Sequence, residues 1–394
     1  MPSPLFPAAV FLALASWAAS AELSGQQPFA VLRERQTEYL GPGRDEPPPG
    51  ELSAVQIGYF GPGDPQHASY GDLWRAASSA VELANREGGY RGLPFRLVAA
   101  WSDDPWGAGV KELVRLIYEE RVWAVIGGVD GDTTHLAEQV VLKARVPLVS
   151  PVSTDKSVNL ANVPWMFSLA PGDHLLAPLL ADELMACAGP DDFVLVASDD
   201  HDARVLTAEL RAALRARQGG PRFQHTCPQA EPRVVELVAE ILKQPPAAVV
   251  IIADAADSAH LIRVLRSQRY DGRVLGGPAF GRQAFLQQAG LAAEQAVFPL
   301  LYADSTSSAR PRLESARCDY ATAHTFDAVN LTIAAIRRGG LNRARIQDAI
   351  RALDGWTGLT GPVDWDKLGS NTRPVQLGVI SGGRLVPRSP ETRD

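Results

Sequence analysis

The feature that most limits what this chain can fold into is an alternation of short, uninterrupted apolar runs with amphipathic helical segments. Residues 55–60 and 95–101 read as strands. Between them a helix over 71–86 carries Leu73, Trp74, Ala77, Ala80, Val81 and Ala84 at helical spacing. The same periodicity predicts a helix over 106–121, with Val110, Leu113, Val114 and Ile117 on one face. A strand at 123–127, a helix at 133–144 and a strand at 146–150 follow. The alternation restarts at Asp173, where helices at 174–187, 202–217, 233–243 and 256–268 separate strands at 193–197, 222–226, 247–253 and 273–276. The remainder predicts a strand at 296–301, helices at 320–338 and 343–353, and two strands near 375–380 and 385–386.

Apolar strands that do not alternate, each followed by an amphipathic helix, imply parallel sheets covered on both faces. Two such series within 394 residues imply an α/β protein of two doubly wound, parallel-sheet domains. Ligands of such sheets bind outside the carboxyl ends of the strands. Attention therefore falls on the loops 61–70, 102–106, 127–133, 150–156, 198–202, 254–257 and 277–281.

Composition narrows the function. Hydrophobic residues make up 46% and charged residues 21%, the balance of a globular chain. The net charge is −7 and the charges are mixed, with no basic face, which excludes nucleic acid as the expected partner. Cys187, Cys227 and Cys318 are widely spaced and form no CxxC, so neither a thiolate zinc site nor a thioredoxin-like motif is expected. They read as reduced apolar fillers. The apolar run 5–15 followed by Ala19-Ser20-Ala21 predicts a secretory signal cleaved after Ala21, although no Lys or Arg precedes it. The alternative is an uncleaved anchor, for which the run is short. Residues 22–53 read as a polar, turn-rich tail.

Catalytic signatures are missing: there is no GxxxxGK[ST], HExxH or GxSxG. Gly61-Pro62-Gly63 imitates a dinucleotide loop, but it lacks the third glycine and Pro62 removes a backbone N–H. No cofactor and no metal ion is expected. What the loops do hold is polar and aromatic. Tyr70 ends the first. The helix start near Thr133 offers unpaired N–H groups to an anion, beside the Ser153 and Thr154 hydroxyls. The same residues suit ordinary capping, with Asp132 or Thr133 as N-cap. His201-Asp202 reads either as an acid–base pair or as a helix cap. Asp103-Asp104 reads first as a turn and second as a cation site.

Several segments, in order, resemble the branched-chain amino-acid-binding family of ABC transporter solute receptors. They are Ile57-Gly58-Tyr59-Phe60-Gly61-Pro62, Tyr70-Gly71-Asp72, Asn85-Arg86-Glu87-Gly88-Gly89, Ile126-Gly127-Gly128 with Thr133-Thr134, Ser150-Pro151-Val152-Ser153-Thr154, Phe326-Asp327-Ala328-Val329, and Thr360-Gly361-Pro362-Val363-Asp364-Trp365-Asp366. The resemblance spans about residues 55–386. It implies a type I periplasmic binding fold, a clamshell of two lobes joined by a three-strand hinge. The implied layout is lobe 1 at 54–170 plus 304–362 and lobe 2 at 171–303 plus 363–390. It also implies a monomeric, non-catalytic receptor that hands its solute to an ABC permease. The pocket would use Tyr70 as aromatic wall, Val129, Asp130, Gly131 and Thr133 at the helix start, and Ser153 and Thr154 as hydrogen-bonding groups. Asp202, Asp254 and Phe280 would come from the second lobe.

The sequence departs from that family where its members hold an amino acid. Gly131 stands in place of their helix-start serine, flanked by Asp130 and Asp132. Two carboxylates there oppose a ligand carboxylate unless they cap or turn away. Pro278 falls where an acidic anchor for the ammonium is expected. The loops therefore favour a neutral, hydroxylated or cationic solute over an aliphatic amino acid. Two other functions remain open at this level: a sensor of the same fold, and a hydrolase using His201 and Asp202.

Overall fold

A computed structural model describes residues 39–303 and 318–388; the expected signal segment and residues 22–38 of the tail lie outside the described residues. The first lobe is built on β1 (Val55–Phe60), α1 (Gly71–Arg86), β2 (Phe95–Ala100), α2 (Val110–Val114), β3 (Val125–Gly127), α3 (Gly131–Ala144), β4 (Leu148–Ser150) and β5 (Met166–Ser168). Its five strands pair in the order β2-β1-β3-β4-β5, all parallel. Every residue of β3, β4 and β5 is buried, which is why these runs carry no polar alternation. Strand β5 has no counterpart in the sequence reading: only a single 3-10 turn, Lys156–Asn159, separates it from β4, so it falls outside the strand–helix alternation.

The stretch 105–119 also differs from expectation. Two π-helical turns, Pro105–Gly109 and Arg115–Glu119, flank α2. Their wider hydrogen-bond spacing shifts the helical phase. Leu113, Leu116 and Ile117 consequently face the core, while Val110 and Val114 are 38% and 40% exposed.

The second lobe comprises α4 (Asp173–Ala188), β6 (Phe193–Ala197), α5 (His201–Ala216), β7 (Phe223–Thr226), α6 (Glu231–Ile241), β8 (Ala248–Ile252), α7 (Ala255–Ser267), β9 (Arg273–Gly276), α8 (Gln283–Ala289) and β10 (Val297–Leu300). Five of its strands are parallel and repeat the order of the first lobe, β7-β6-β8-β9-β10. Strands β13 (Gln376–Ser381) and β14 (Arg384–Pro387) extend the sheet antiparallel, so it is mixed rather than wholly parallel. No helix separates these two strands. The turn at Gly382-Gly383 joins them directly, with φ of +57° and +71°, values that glycine adopts at no steric cost.

Helices α9 (Tyr320–Gly339) and α10 (Arg343–Arg351) return to the first lobe, where α9 packs along α1. Asp327 in α9 accepts the N–H groups of Leu359 and Thr360, each at 2.8 Å, and fixes the segment carrying the short strands β11 (Thr357–Gly358) and β12 (Gly361–Pro362). Val363 belongs to the first lobe's core, and the Trp365 ring lies 5.5 Å from Phe167. Asn371 donates to the Leu169 carbonyl at 2.8 Å. The chain thus re-enters the second lobe close to Gln376, not at 363 where the sequence reading placed the boundary.

The described end of the tail is anchored. Tyr39 packs 4.7 Å from Trp165, and Asn342 donates to the carbonyls of Gly43 and Glu46 at 2.8 and 3.1 Å. No described helix is long and apolar enough to cross a membrane.

In both sheets the first strand lies between the second and the third. Ligands of such sheets sit where this order reverses, outside the carboxyl ends of β1 and β3 in one lobe and of β6 and β8 in the other.

Candidate functional site

At the first lobe's reversal point, α3 begins at Gly131. Asp130 is its N-cap: the carboxylate accepts the Thr133 N–H at 2.8 Å, and Thr133 Oγ1 closes a capping box. The cap is therefore Asp130, two residues before the expected Asp132 and three before Thr133. Asp132 turns outward and accepts the Trp106 indole N–H at 2.8 Å. One of the two carboxylates thus caps the helix and the other points away.

Another N–H of this helix start is taken by the opposite lobe. Asp202, in the first turn of α5, accepts the Gly131 N–H at 2.9 Å through Oδ1 and 3.2 Å through Oδ2. Gly131 explains why this is possible. A Cβ on it would stand 2.2 Å from Asp202 Oδ1 and 3.1 Å from the His201 ring. The serine missing here is thus the side chain that would hold the lobes apart. Although part of Asp202 still meets solvent, burial and then the nearby Asp130 charge raise its pKa to about 7.

Three further contacts hold the lobes together. His201 Nε2 lies 2.7 Å from Asp155 Oδ2. Lys156 pairs with Glu209 at 2.6 Å. Arg282 pairs with Asp72 and Asp319, each at 2.9 Å. Burial works against the Arg282 charge, but Asp319 and Asp72 outweigh it, so the guanidinium holds its proton more tightly than usual. The arrangement is a closed clamshell.

Of the residues expected to form the pocket, Tyr70, Asp130, Gly131 and Asp202 come together. Burial, then Asp130 and Asp202, push the Tyr70 phenol upward, which keeps it a neutral hydroxyl. Its ring stacks on His67 at 5.6 Å and meets Trp101 edge-on at 6.2 Å. Thr133 and Val129 contribute through the cap, since the Val129 N–H donates to Thr133 Oγ1 at 3.1 Å. Ser153 is buried and accepts the Asp155 N–H at 3.2 Å. The Thr154 carbonyl accepts the Asp173 N–H at 2.7 Å. Asp173 itself is buried at the hinge end of α4. Burial drives its pKa well above the carboxylate range, and its Oδ1 has no partner among the described residues.

Two expected residues stand apart. Phe280 is turned fully into the second lobe's core, stacked 4.2 Å from Phe285, because Gly276 leaves room only for its ring. Arg282, two residues on, is what reaches the first lobe instead. Asp254 is exposed and caps α7 through the Asp257 N–H at 2.8 Å. It lines a second-lobe cavity of about 490 Å³ with Asp199, Asp200 and Asp257. Asp103 and Asp104 serve as turn and cap, accepting from the Trp101 indole and the Gly107 N–H. Cys187 and Cys227 are free thiols. Sequence reasoning missed His135 and Asp155 as well as Arg282. None of them belongs to a local motif: His135 and Asp155 are brought together by the first lobe's own fold, and Arg282 meets its partners only across the lobes.

Comparisons with known proteins agree with this geometry. The sequence profile of the periplasmic binding protein family matches residues 54–384. An amino acid binding protein of Pseudomonas aeruginosa is 27% identical over 164 residues, which is 41% of this chain and 44% of that relative's length. The branched-chain amino acid transporter substrate-binding protein of Streptococcus pneumoniae, solved with isoleucine, superposes with a TM-score of 0.75 at 19% identity, over 84% of this chain and 97% of the other. A leucine-binding protein of Thermotoga maritima gives 0.72 at 18% identity, covering 85% and 98%. A solute-binding protein of an ABC transporter from R. palustris, solved with benzoate, gives 0.74 at 16% identity, covering 85% and 95%. The fold is that of a type I periplasmic binding protein.

Proposed function

The chain belongs to the periplasmic binding protein family, and we propose that within it the protein is the extracytoplasmic receptor of an ABC importer, closing over a small polar solute and catalysing nothing. The observation that carries this reading is the inter-lobe bond between Asp202 and the Gly131 N–H. Two rigid lobes that meet through a few polar contacts at a cleft have the form of a two-state binder. The closed face is what a membrane permease reads. The protein acts as a monomer and reaches its compartment through its first 21 residues, removed after Ala21. His201 and Asp202 are engaged with Asp155 and Gly131, which supports binding over hydrolysis.

The solute is held by Tyr70, Asp130, Gly131, Thr133 and Asp202, with Ser153 and Thr154 behind. Its class follows from charge. The helix-start N–H that would receive a ligand carboxylate is met by the protein's own Asp202, and Asp130 lies close by. A further carboxylate is repelled there, whereas an ammonium, amide or hydroxyl group is welcomed. The solute is thus hydroxylated, amide-bearing or cationic, unlike the isoleucine and leucine of the structural neighbours.

A thermal-shift screen followed by calorimetry tests both levels. Stabilisation by amines, amides or polyols is expected. Stabilisation by leucine or valine alone would overturn the solute class. No response to any solute, together with scattering that shows no closure, would overturn the receptor reading itself.

A further inference from the structure

Beside the cleft floor, three side chains from separate parts of the chain converge on one point. His135 lies on α3, Asp155 follows β4, and His201 opens α5. Both imidazoles direct Nε2 at the same atom, Asp155 Oδ2, at 2.9 and 2.7 Å. The three donor atoms all lie within 4.8 Å of one another. We propose that His135, Asp155 and His201 form a binding site for a divalent first-row transition-metal ion, with zinc as the best fit, completed only when the two lobes close.

Two imidazoles and a carboxylate make a donor set suited to zinc, with a fourth position left for water or for an atom of the solute. Zinc bonds of about 2.0 Å in a tetrahedron separate neighbouring donors by about 3.3 Å, so the two imidazole–carboxylate separations have to lengthen by only about half an ångström. The surroundings resemble those of metal-bound histidines. His135 Nδ1 faces Glu138 Oε2 at 3.4 Å, a carboxylate placed to hold the other ring nitrogen. Glu138 is buried, and its Oε1 has no partner among the described residues. Asp155 Oδ1 is fixed by the Ser157 N–H at 2.7 Å, which leaves Oδ2 for the ion. Ser157 Oγ sits 3.0 Å from His135 Nε2, within reach of a metal-bound water. The Asp155 side chain is fully buried, whereas those of His135 and His201 retain 25% and 29% exposure, so an ion can enter from solvent.

Two ligands belong to the first lobe and one to the second. An ion that binds all three favours the closed form by its differential affinity for it. The site would act as a latch independent of the solute.

The full chain, free of any affinity tag and stripped with chelator, is titrated with zinc alone. One-to-one saturable binding is expected, weakened by about tenfold or more in both His201→Ala and His135→Ala. A His225→Ala control on the second lobe's edge strand should bind as wild type. Zinc should also reduce the radius of gyration of the wild-type protein. Cobalt(II) on the wild-type protein gives a readout that needs no variant, the visible absorption of tetrahedral coordination. Absence of saturable binding, or binding that survives both substitutions unchanged, would overturn the proposal. Since no solute enters the experiment, its failure leaves the receptor reading untouched.

Discussion

Among the described residues, the second lobe buries few polar or charged side chains: Asp173, Glu183, Thr207 and Ser258. The first lobe buries Thr133, Thr134, Glu138, Ser150, Ser153, Asp155, Asn159, Asp319, His324 and Asp327, with others. The two sheets nevertheless share one strand order. The same difference appears at the cleft. In the second lobe the helices after β6 and β8 are capped by their own Asp200 and Asp254. In the first, α3 is likewise capped by its own Asp130, but its Gly131 N–H is bonded by a group from across the cleft. One topology thus supports a preorganised polar half, whose groups are fixed before anything binds, and an apolar half that extends a few charged side chains toward it. On this view the first lobe sets solute identity, and the second sets the strength of closure through Asp202, His201 and Arg282.

The sharpest way to break that division is Arg282→Ala. It removes the cation that the second lobe places between Asp72 and Asp319. Asp319 is buried and would be left uncompensated, an effect worth about 3–5 kcal/mol. Solute affinity should fall by about a hundredfold or more, and scattering should show an open molecule. Arg282→Lys should restore little, since one ammonium cannot serve two carboxylates in this forked geometry. Unchanged affinity in Arg282→Ala would mean that closure does not depend on the second lobe's charge.

Acid should separate the lobes next. His324, buried in α9, makes a 2.7 Å bond to the Tyr320 carbonyl through Nδ1, and its Nε2 accepts from Arg373 at 3.1 Å. Burial, with Arg373 close by, lowers its pKa to about 3. The unfolded value is about 6.5. The stability contributed by the neutral imidazole is complete above about 6.5 and lost as pH falls toward 3. At pH 4 the loss is roughly 3 kcal/mol, borne by the first lobe. Every described tryptophan lies in that lobe, so its fluorescence should change at higher pH than the far-UV circular dichroism of the whole. His324→Gln should bring the two transitions together. Coincident transitions in the wild-type protein would argue against separate lobe stabilities.

A smaller effect is expected from Gly131→Ala. The added Cβ meets Asp202 at 2.2 Å and His201 at 3.1 Å across the cleft, and Asp155 Cβ of its own lobe at 3.2 Å. Closure loses a charge-assisted hydrogen bond, about 1.5–3 kcal/mol, while an alanine in place of a helical glycine favours α3 by up to about 1 kcal/mol. Affinity should drop by roughly tenfold to a hundredfold with no fall in melting temperature. A fall in both would show that Gly131 serves the first lobe's own packing.

The same contrast explains what the sequence could disclose. Uninterrupted apolar strands followed by helices announced both sheets, because burial on two faces leaves that imprint in every residue. Strand β5 and the phase of 105–119 left none, one having no helix between it and β4 and the other being π-helical. The family-like segments proved largely architectural: Asn85 clamps the Phe95 backbone at 2.7 and 2.9 Å, and Asp327 clamps Leu359 and Thr360. They identify the fold without specifying a solute. Tyr70, Asp130, Gly131 and Asp202 were legible because strand-end loops are few. The pairing of Arg282 with Asp72 spans 210 residues and depends on how the lobes meet, which no local pattern records.

The weakest of the cross-lobe contacts tests where the division ends. Lys156 and Glu209 meet at 2.6 Å on the rim, each side chain keeping somewhat over a fifth of its surface exposed. A pair so placed trades hydration and side-chain freedom for a screened attraction, and such pairs contribute about 0–1 kcal/mol. Lys156→Met should therefore weaken solute binding by less than about fivefold. Its effect should also fade as salt is raised, because the Debye length shrinks from about 10 Å at 0.1 M to about 3 Å at 1 M. The Arg282 contact, with its side chain only 13% exposed, should keep most of its effect across the same range. Calorimetry on both variants at low and high salt compares them directly. If Lys156→Met proved as damaging as Arg282→Ala, or as indifferent to salt, closure would be shared along the whole rim. A small, salt-sensitive effect would confine it to the buried contacts around Gly131, Asp202 and Arg282.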